Sequence, residues 1–190
     1  MPAERSYVPV VSSPALVTAD ELLRANLPDK RVELVRGVLV VREPPGYRHG
    51  EVTARLAKLL IDHADAHDLG RVLAGDSGFR LATNPDTVRG PDVAFIRRDR
   101  MPSPSPTGYA DFAPDLVVEV LSPGDRPGEV LAKVADWLSA GTRHVWVVDP
   151  ERRQARVYRD DGSETLLTAD EELDGEDVVP GFSCPLEALV

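Results

Sequence analysis

Apolar residues along this chain form many short runs and only two stretches with helical spacing. Val52, Leu56, Leu59, Leu60 and His63 recur at helical intervals and predict a helix up to about Asp68, closed by Gly70. A second helix is predicted over 129–140, where Val130, Val134, Trp137 and Leu138 make one stripe and Gly141 ends the run. Ahead of these, Thr18 with Glu21 three residues on has the form of a capping box and predicts a short helix.

The remaining runs read as strands. Arg31 to Val35 and Val38 to Val41 flank Arg36-Gly37 and predict a hairpin. The segment 44–50, Pro-Pro-Gly-Tyr-Arg-His-Gly, reads as a loop. Arg71 to Ala74, Gly78 to Leu81 and Asp92 to Arg97 are strand-like, the last entered from Gly90-Pro91. Residues 101–114 carry too many prolines for a helix and read as a surface loop. Leu116 to Leu121 and His144 to Val148 are near-continuous apolar runs, the pattern of strands covered on both faces. The tail adds a hairpin-like pair, Arg156 to Arg159 with Thr165 to Thr168, and a short closing segment after Pro180. This order predicts an α/β (α+β) fold, a small mixed central sheet flanked by helices with an αβββαβ core. Residues 1–29 are expected to be an N-terminal arm and short helix, 30–160 the main domain, and 161–190 an acidic C-terminal extension packed on it.

Composition narrows the class. A chain of 190 residues can bury one full core without disulfides, and the single Cys184 has no partner to form one. No apolar run approaches the ~20 residues of a membrane span, and the N-terminus lacks a basic-then-apolar signal, so a cytoplasmic location and no membrane partner are expected. The net charge of −10 is concentrated: nine acids and no Lys or Arg lie between Asp160 and Asp177, and the rest of the chain is nearly neutral. Arg89, Arg97, Arg98 and Arg100, and again Arg152, Arg153, Arg156 and Arg159, make basic clusters that are either solvated faces or phosphate contacts.

The candidate chemistry centres on Glu119, a carboxylate inside the apolar run Leu116–Leu121. An ionised carboxylate in low dielectric costs several kcal/mol, so it must be paired, protonated or bound to a cation. Asp92 begins another strand after Pro91, and two carboxylates on adjacent strands can converge on Mg²⁺ or Mn²⁺. A turn carboxylate at Asp92 and a buried Glu119–Arg pair are the competing structural readings. Lys133 falls at the border of the sheet-facing stripe, where its amine could reach the strand tips or pair with Glu129 or Asp136. Only three lysines, Lys30, Lys58 and Lys133, occur in the chain. His49, Glu51 and Asp76 are secondary candidates, each of which could instead cap a helix or meet solvent.

Arg89-Gly-Pro-Asp-Val-Ala-Phe-Ile, Ala113-Pro-Asp-Leu-Val-Val-Glu-Val-Leu-Ser-Pro, Lys133 followed by Trp137, Ala140-Gly141 and Val145-Trp-Val-Val-Asp-Pro together resemble the Uma family of bacterial restriction endonucleases, within the PD-(D/E)XK nuclease superfamily. The resemblance spans roughly residues 30–160. It implies a restriction endonuclease-like fold and a Mg²⁺-dependent endonuclease acting on DNA. Asp92 would match the PD motif, Glu119 the acidic position, and Lys133 the lysine, here on the following helix because Leu121 stands two places after Glu119. Trp137 replaces a usual Tyr and reads as a packing substitution. Cutting two strands with one site per chain would favour a homodimer, an argument from the task and not from the residues. The alternative is a nuclease-fold binding module that no longer cuts, motivated by the acidic surface and the displaced lysine.

Overall fold

The computed structural model describes residues 15–25 and 31–190; the N-terminal arm expected over residues 1–15 lies almost wholly outside them. Helix α1 (Ala19–Arg24) starts at the predicted capping box, with the Thr18 backbone N–H donating to Glu21 at 2.8 Å and the Glu21 N–H to Thr18 Oγ1 at 3.2 Å. Strands β1 (Arg31–Val35) and β2 (Val38–Arg42) form the predicted hairpin, and Arg36 and Gly37 both take positive φ at its turn. These two join β5 (Thr87–Arg89) and β4 (Phe79–Ala82) in a four-stranded sheet of order β2-β1-β5-β4.

The larger sheet has six strands. Its members are β3 (Gly70–Ala74), β6 (Val93–Arg97), β7 (Leu116–Val120), β8 (His144–Asp149), β9 (Gln154–Arg159) and β10 (Glu164–Leu167), in the order β10-β9-β8-β7-β6-β3. Only β7 and β8 pair in parallel, as the helical crossover between them requires. With α2 (Tyr47–Ala66) and α3 (Pro127–Ser139), this sheet follows the order α2-β3-β6-β7-α3-β8, the expected αβββαβ core. The strand-like run near Gly78–Leu81 belongs to the smaller sheet, and β5 beside it was too short to stand out in the sequence.

Two apolar layers cover the six-stranded sheet. One face buries Val52, Leu56 and Leu60 of α2, together with Leu173, Phe182 and Leu186 from the chain end. The other buries Val134 and Trp137 of α3 against Val117, Val145 and Val147. Each such side chain stabilises by about 1.5–3 kcal/mol when fully buried, which offsets the polar groups enclosed among them. A last hairpin, β11 (Glu172–Asp174) with β12 (Ser183–Pro185), ties the acidic tail to the first layer through Leu173 and Cys184.

Two local expectations change. Helix α2 begins at Tyr47 instead of after Gly50, because Gly46 caps it in extended conformation, and this places His49 on its first turn. It ends at Ala66, so Gly70 is not its terminator. Gly70 opens β3 where a Cβ would stand 2.1 Å from the Ile96 carbonyl oxygen, so only glycine permits that approach.

Candidate active site

The register of β6 against β7 pairs Val93 with Val118, and its continuation sets Asp92 opposite Glu119. Opposed residues of an antiparallel pair share a sheet face. Here it is the face of α3, since Ala94, Ile96 and Val117 pack there with Val134 and Trp137. Asp92 and Glu119 are buried, at 5% and 6% exposure, yet both line a solvent-open cavity of about 680 Å³ whose walls include the β1–β2 hairpin and the α3 N-terminal half. His49, Asp76 and Lys133 also line it.

Each Glu119 oxygen is satisfied. Lys133 Nζ donates to Oε2 at 2.9 Å and Trp137 Nε1 to Oε1 at 2.9 Å. Burial, the largest influence, pushes this carboxyl above the ordinary range; the Lys133 ammonium pulls it back and the Asp92 charge raises it further. The Lys133 amine is disfavoured as an ammonium by burial, but Glu119 and then Glu33 hold its proton more firmly than usual. Asp92 behaves in the opposite way to Glu119. Burial opposes its charge, but the His49 contact, the Val120 N–H and Arg31 together hold it below the ordinary carboxylate range. His49 Nε2 lies 3.2 Å and Val120 N 2.7 Å from Asp92 Oδ2, and Arg31 Nη2 lies 3.1 Å from Oδ1.

Of the other sequence candidates, Asp76 reaches the cavity rim and pairs with Arg31, the same guanidinium that holds Asp92. Glu51 is not brought to the site. It pairs with Arg55 one turn along the exposed side of α2. Lys133 meets neither Glu129, which takes Arg42, nor Asp136, which takes Arg89.

Arg31, which holds Asp92, was missed, and so were the roles of three more residues. Trp137 is more than packing: fully buried, with its ring edge-on to Phe79, it also carries the N–H that orients Glu119. Glu33 on β1 lies 3.5 Å from Lys133. Arg89, grouped in the sequence with exposed arginines, is 4% exposed and pairs with Glu33 and Asp136. Its position directly before Gly90-Pro91-Asp92 was the available signal. The other arginines of both basic clusters, Arg153 apart, meet nearby acids, as in Arg97–Asp99, Arg100–Asp115 and Arg159–Glu176.

Residues 19–187 match the model of the Uma2 family, described as "Putative restriction endonuclease", and the chain belongs to that family. The fold agrees. A crystal structure from Anabaena variabilis, described as a putative nuclease belonging to DUF820, superposes with a TM-score of 0.81 at 19% identity, covering 91% of this chain and 97% of that one. No curated protein matches the sequence. Among the described residues, no helix is long and apolar enough to cross a membrane.

Proposed function

We propose that this protein is a metal-dependent endonuclease that hydrolyses DNA phosphodiester bonds at the Asp92–Glu119–Lys133 cavity. The observation that carries the reading is the convergence of two buried carboxylates from neighbouring strands with one lysine amine from the following helix. The donor set fits Mg²⁺, with Mn²⁺ as a substitute. It is all oxygen, and no group of three or more His, Cys, Asp or Glu among the described residues could cage a metal, whereas Mg²⁺ needs only one or two carboxylates beside water and substrate phosphate. Held by Asp92 and Glu119, such an ion would supply Lewis-acid polarisation of the phosphoryl oxygen and would make a bound water more acidic than bulk water.

The chain's own groups divide the remaining work. His49, Val120 N–H and Arg31 keep Asp92 ionised and oriented. Trp137 and Lys133 fix the Glu119 carboxylate from its two sides. Because Glu119 and Glu33 hold the Lys133 proton firmly, its ammonium serves to stabilise charge growing on the phosphate, and a water-deprotonating base is the weaker role. The assignment of DNA follows the family description.

The test is strand scission. Supercoiled plasmid incubated with Mg²⁺ or Mn²⁺ should be nicked by the parent, spared in EDTA, and spared by Asp92→Asn. In parallel, saturating Mn²⁺ should stabilise the parent by about 2.7 kcal/mol at a hundredfold excess over its dissociation constant, and leave Asp92→Asn unmoved. No scission of any DNA or RNA substrate, with no Mn²⁺ response, would replace the enzyme with a non-cutting binding module.

A further inference from the structure

Lys133 stands between two carboxylates. Its Nζ lies 2.9 Å from Glu119 Oε2 and 3.5 Å from Glu33 Oε1, and both acids are buried. Glu33 is therefore a competitor: an unneutralised carboxylate there would draw the ammonium away from Glu119 and toward the hairpin. What opposes this is Arg89. Its Nη1 donates to Glu33 Oε2 at 2.8 Å, and the Gly90 N–H approaches Glu33 Oε1 at 3.4 Å. The rest of the guanidinium faces the other way, with Nε and Nη2 donating to Asp136 Oδ2 at 3.0 and 2.6 Å. Asp136 lies three residues after Lys133 on α3, so the same side chain that neutralises Glu33 also fixes the helix that carries the lysine.

We propose that Arg89 is a positioning residue for Lys133, keeping its amine on Glu119 by neutralising Glu33 and by clamping α3 through Asp136. The inference rests on the catalytic reading of Lys133 given above. A lysine could not substitute, since two carboxylates on opposite sides need the planar fork of a guanidinium. The arrangement also explains why a buried arginine directly precedes Gly90-Pro91-Asp92: β5 delivers its last side chain to α3 at the point where the chain turns to deliver Asp92.

The scarcity of lysine supplies a readout independent of cutting. With only Lys30, Lys58 and Lys133 in the chain, the side-chain ammonium NMR spectrum has three signals to assign, and Lys133→Arg identifies one. In Arg89→Gln, with Glu33 left uncompensated, the Lys133 signal should shift or be lost to solvent exchange. Adding Glu33→Gln, which removes the competing carboxylate but does not restore the Asp136 clamp, should bring the signal back and move it toward the parent position. In the plasmid assay, at a temperature where circular dichroism shows each variant folded, Arg89→Gln should lower kcat by about tenfold or more at unchanged KM, and the double variant should recover most of it. A folded Arg89→Gln with the parent Lys133 signal and parent kcat overturns the proposal. If the signal moves as expected and scission does not respond, positioning stands and the catalytic reading of Lys133 falls. If Arg89→Gln does not fold, Asp136→Asn, which weakens only one arm of the clamp, is read the same way, and an unmoved Lys133 signal there overturns the proposal as well.

Discussion

Replacing Lys133 by Met preserves most of the side chain's length and removes its charge, which isolates what the ammonium does for the buried acids. Glu33 would still have Arg89 at 2.8 Å. Glu119 would keep only the Trp137 N–H, with the Asp92 charge still acting on it. Removing one partner of a buried ion pair costs ~3–5 kcal/mol, and the lower end applies because Glu119 can take up a proton instead. Its carboxyl is already raised by burial, and Lys133 is the foremost group pulling it down. A carboxyl whose folded pKa lies above its unfolded value of 4.5 makes the folded state bind more protons than the unfolded one. The parent's own Glu119 carboxyl is already raised, so the variant should lose stability relative to it as pH rises from the parent's folded pKa through the variant's still higher one, at up to ~1.4 kcal/mol per pH unit. Melts of both proteins in EDTA between about pH 4.5 and 8.5 should show a small deficit at the acid end and one of about 3 kcal/mol at the alkaline end. At ~2–4 °C per kcal/mol for a chain of this size, that is a Tm lower by roughly 6–12 °C. A deficit that is the same at every pH, or one under about 1 kcal/mol at the alkaline end, would refute the description of Lys133 as the cation that keeps Glu119 ionised.

Two further substitutions probe the same geometry. Trp137→Phe keeps the aromatic contact with Phe79 but removes the N–H on Glu119, and should cost ~1.5–3 kcal/mol, the worth of a hydrogen bond to a charged group; a Tm equal to the parent's would return Trp137 to a packing role. Glu51→Ala should change stability by no more than about 0.5 kcal/mol, since it breaks only an exposed pair with Arg55, and should leave the Mn²⁺ response intact. Loss of that response would mean that Glu51 reaches the ion after all.

Much of the molecule could be read locally. Period-two and period-3.6 patterns are set by which face of an element meets the core, so the hairpin at Arg36-Gly37, helices α2 and α3, and the covered strands β7 and β8 stood out without any tertiary information. The expense of a charge in an apolar run picked out Glu119 in the same way, because burial on both faces follows from the run itself. Strand β5 did not stand out: three residues are too few to show a period.

What only the tertiary structure decided is which side chains meet. Glu33 and Arg89 come from one sheet, Trp137 from a helix and Glu119 from the other sheet, and nothing in their spacing along the chain encodes that they share one network with Lys133. Arg89 shows the reason most clearly. In the sequence it is one arginine among several near Arg97, Arg98 and Arg100, and arginine pattern alone carries no sign of burial. It is the docking of the β1–β2 hairpin and of α3 on either side of it that encloses the guanidinium and supplies both carboxylates. Local pattern determined which elements form and which acid had to find a cation; long-range packing chose the cation.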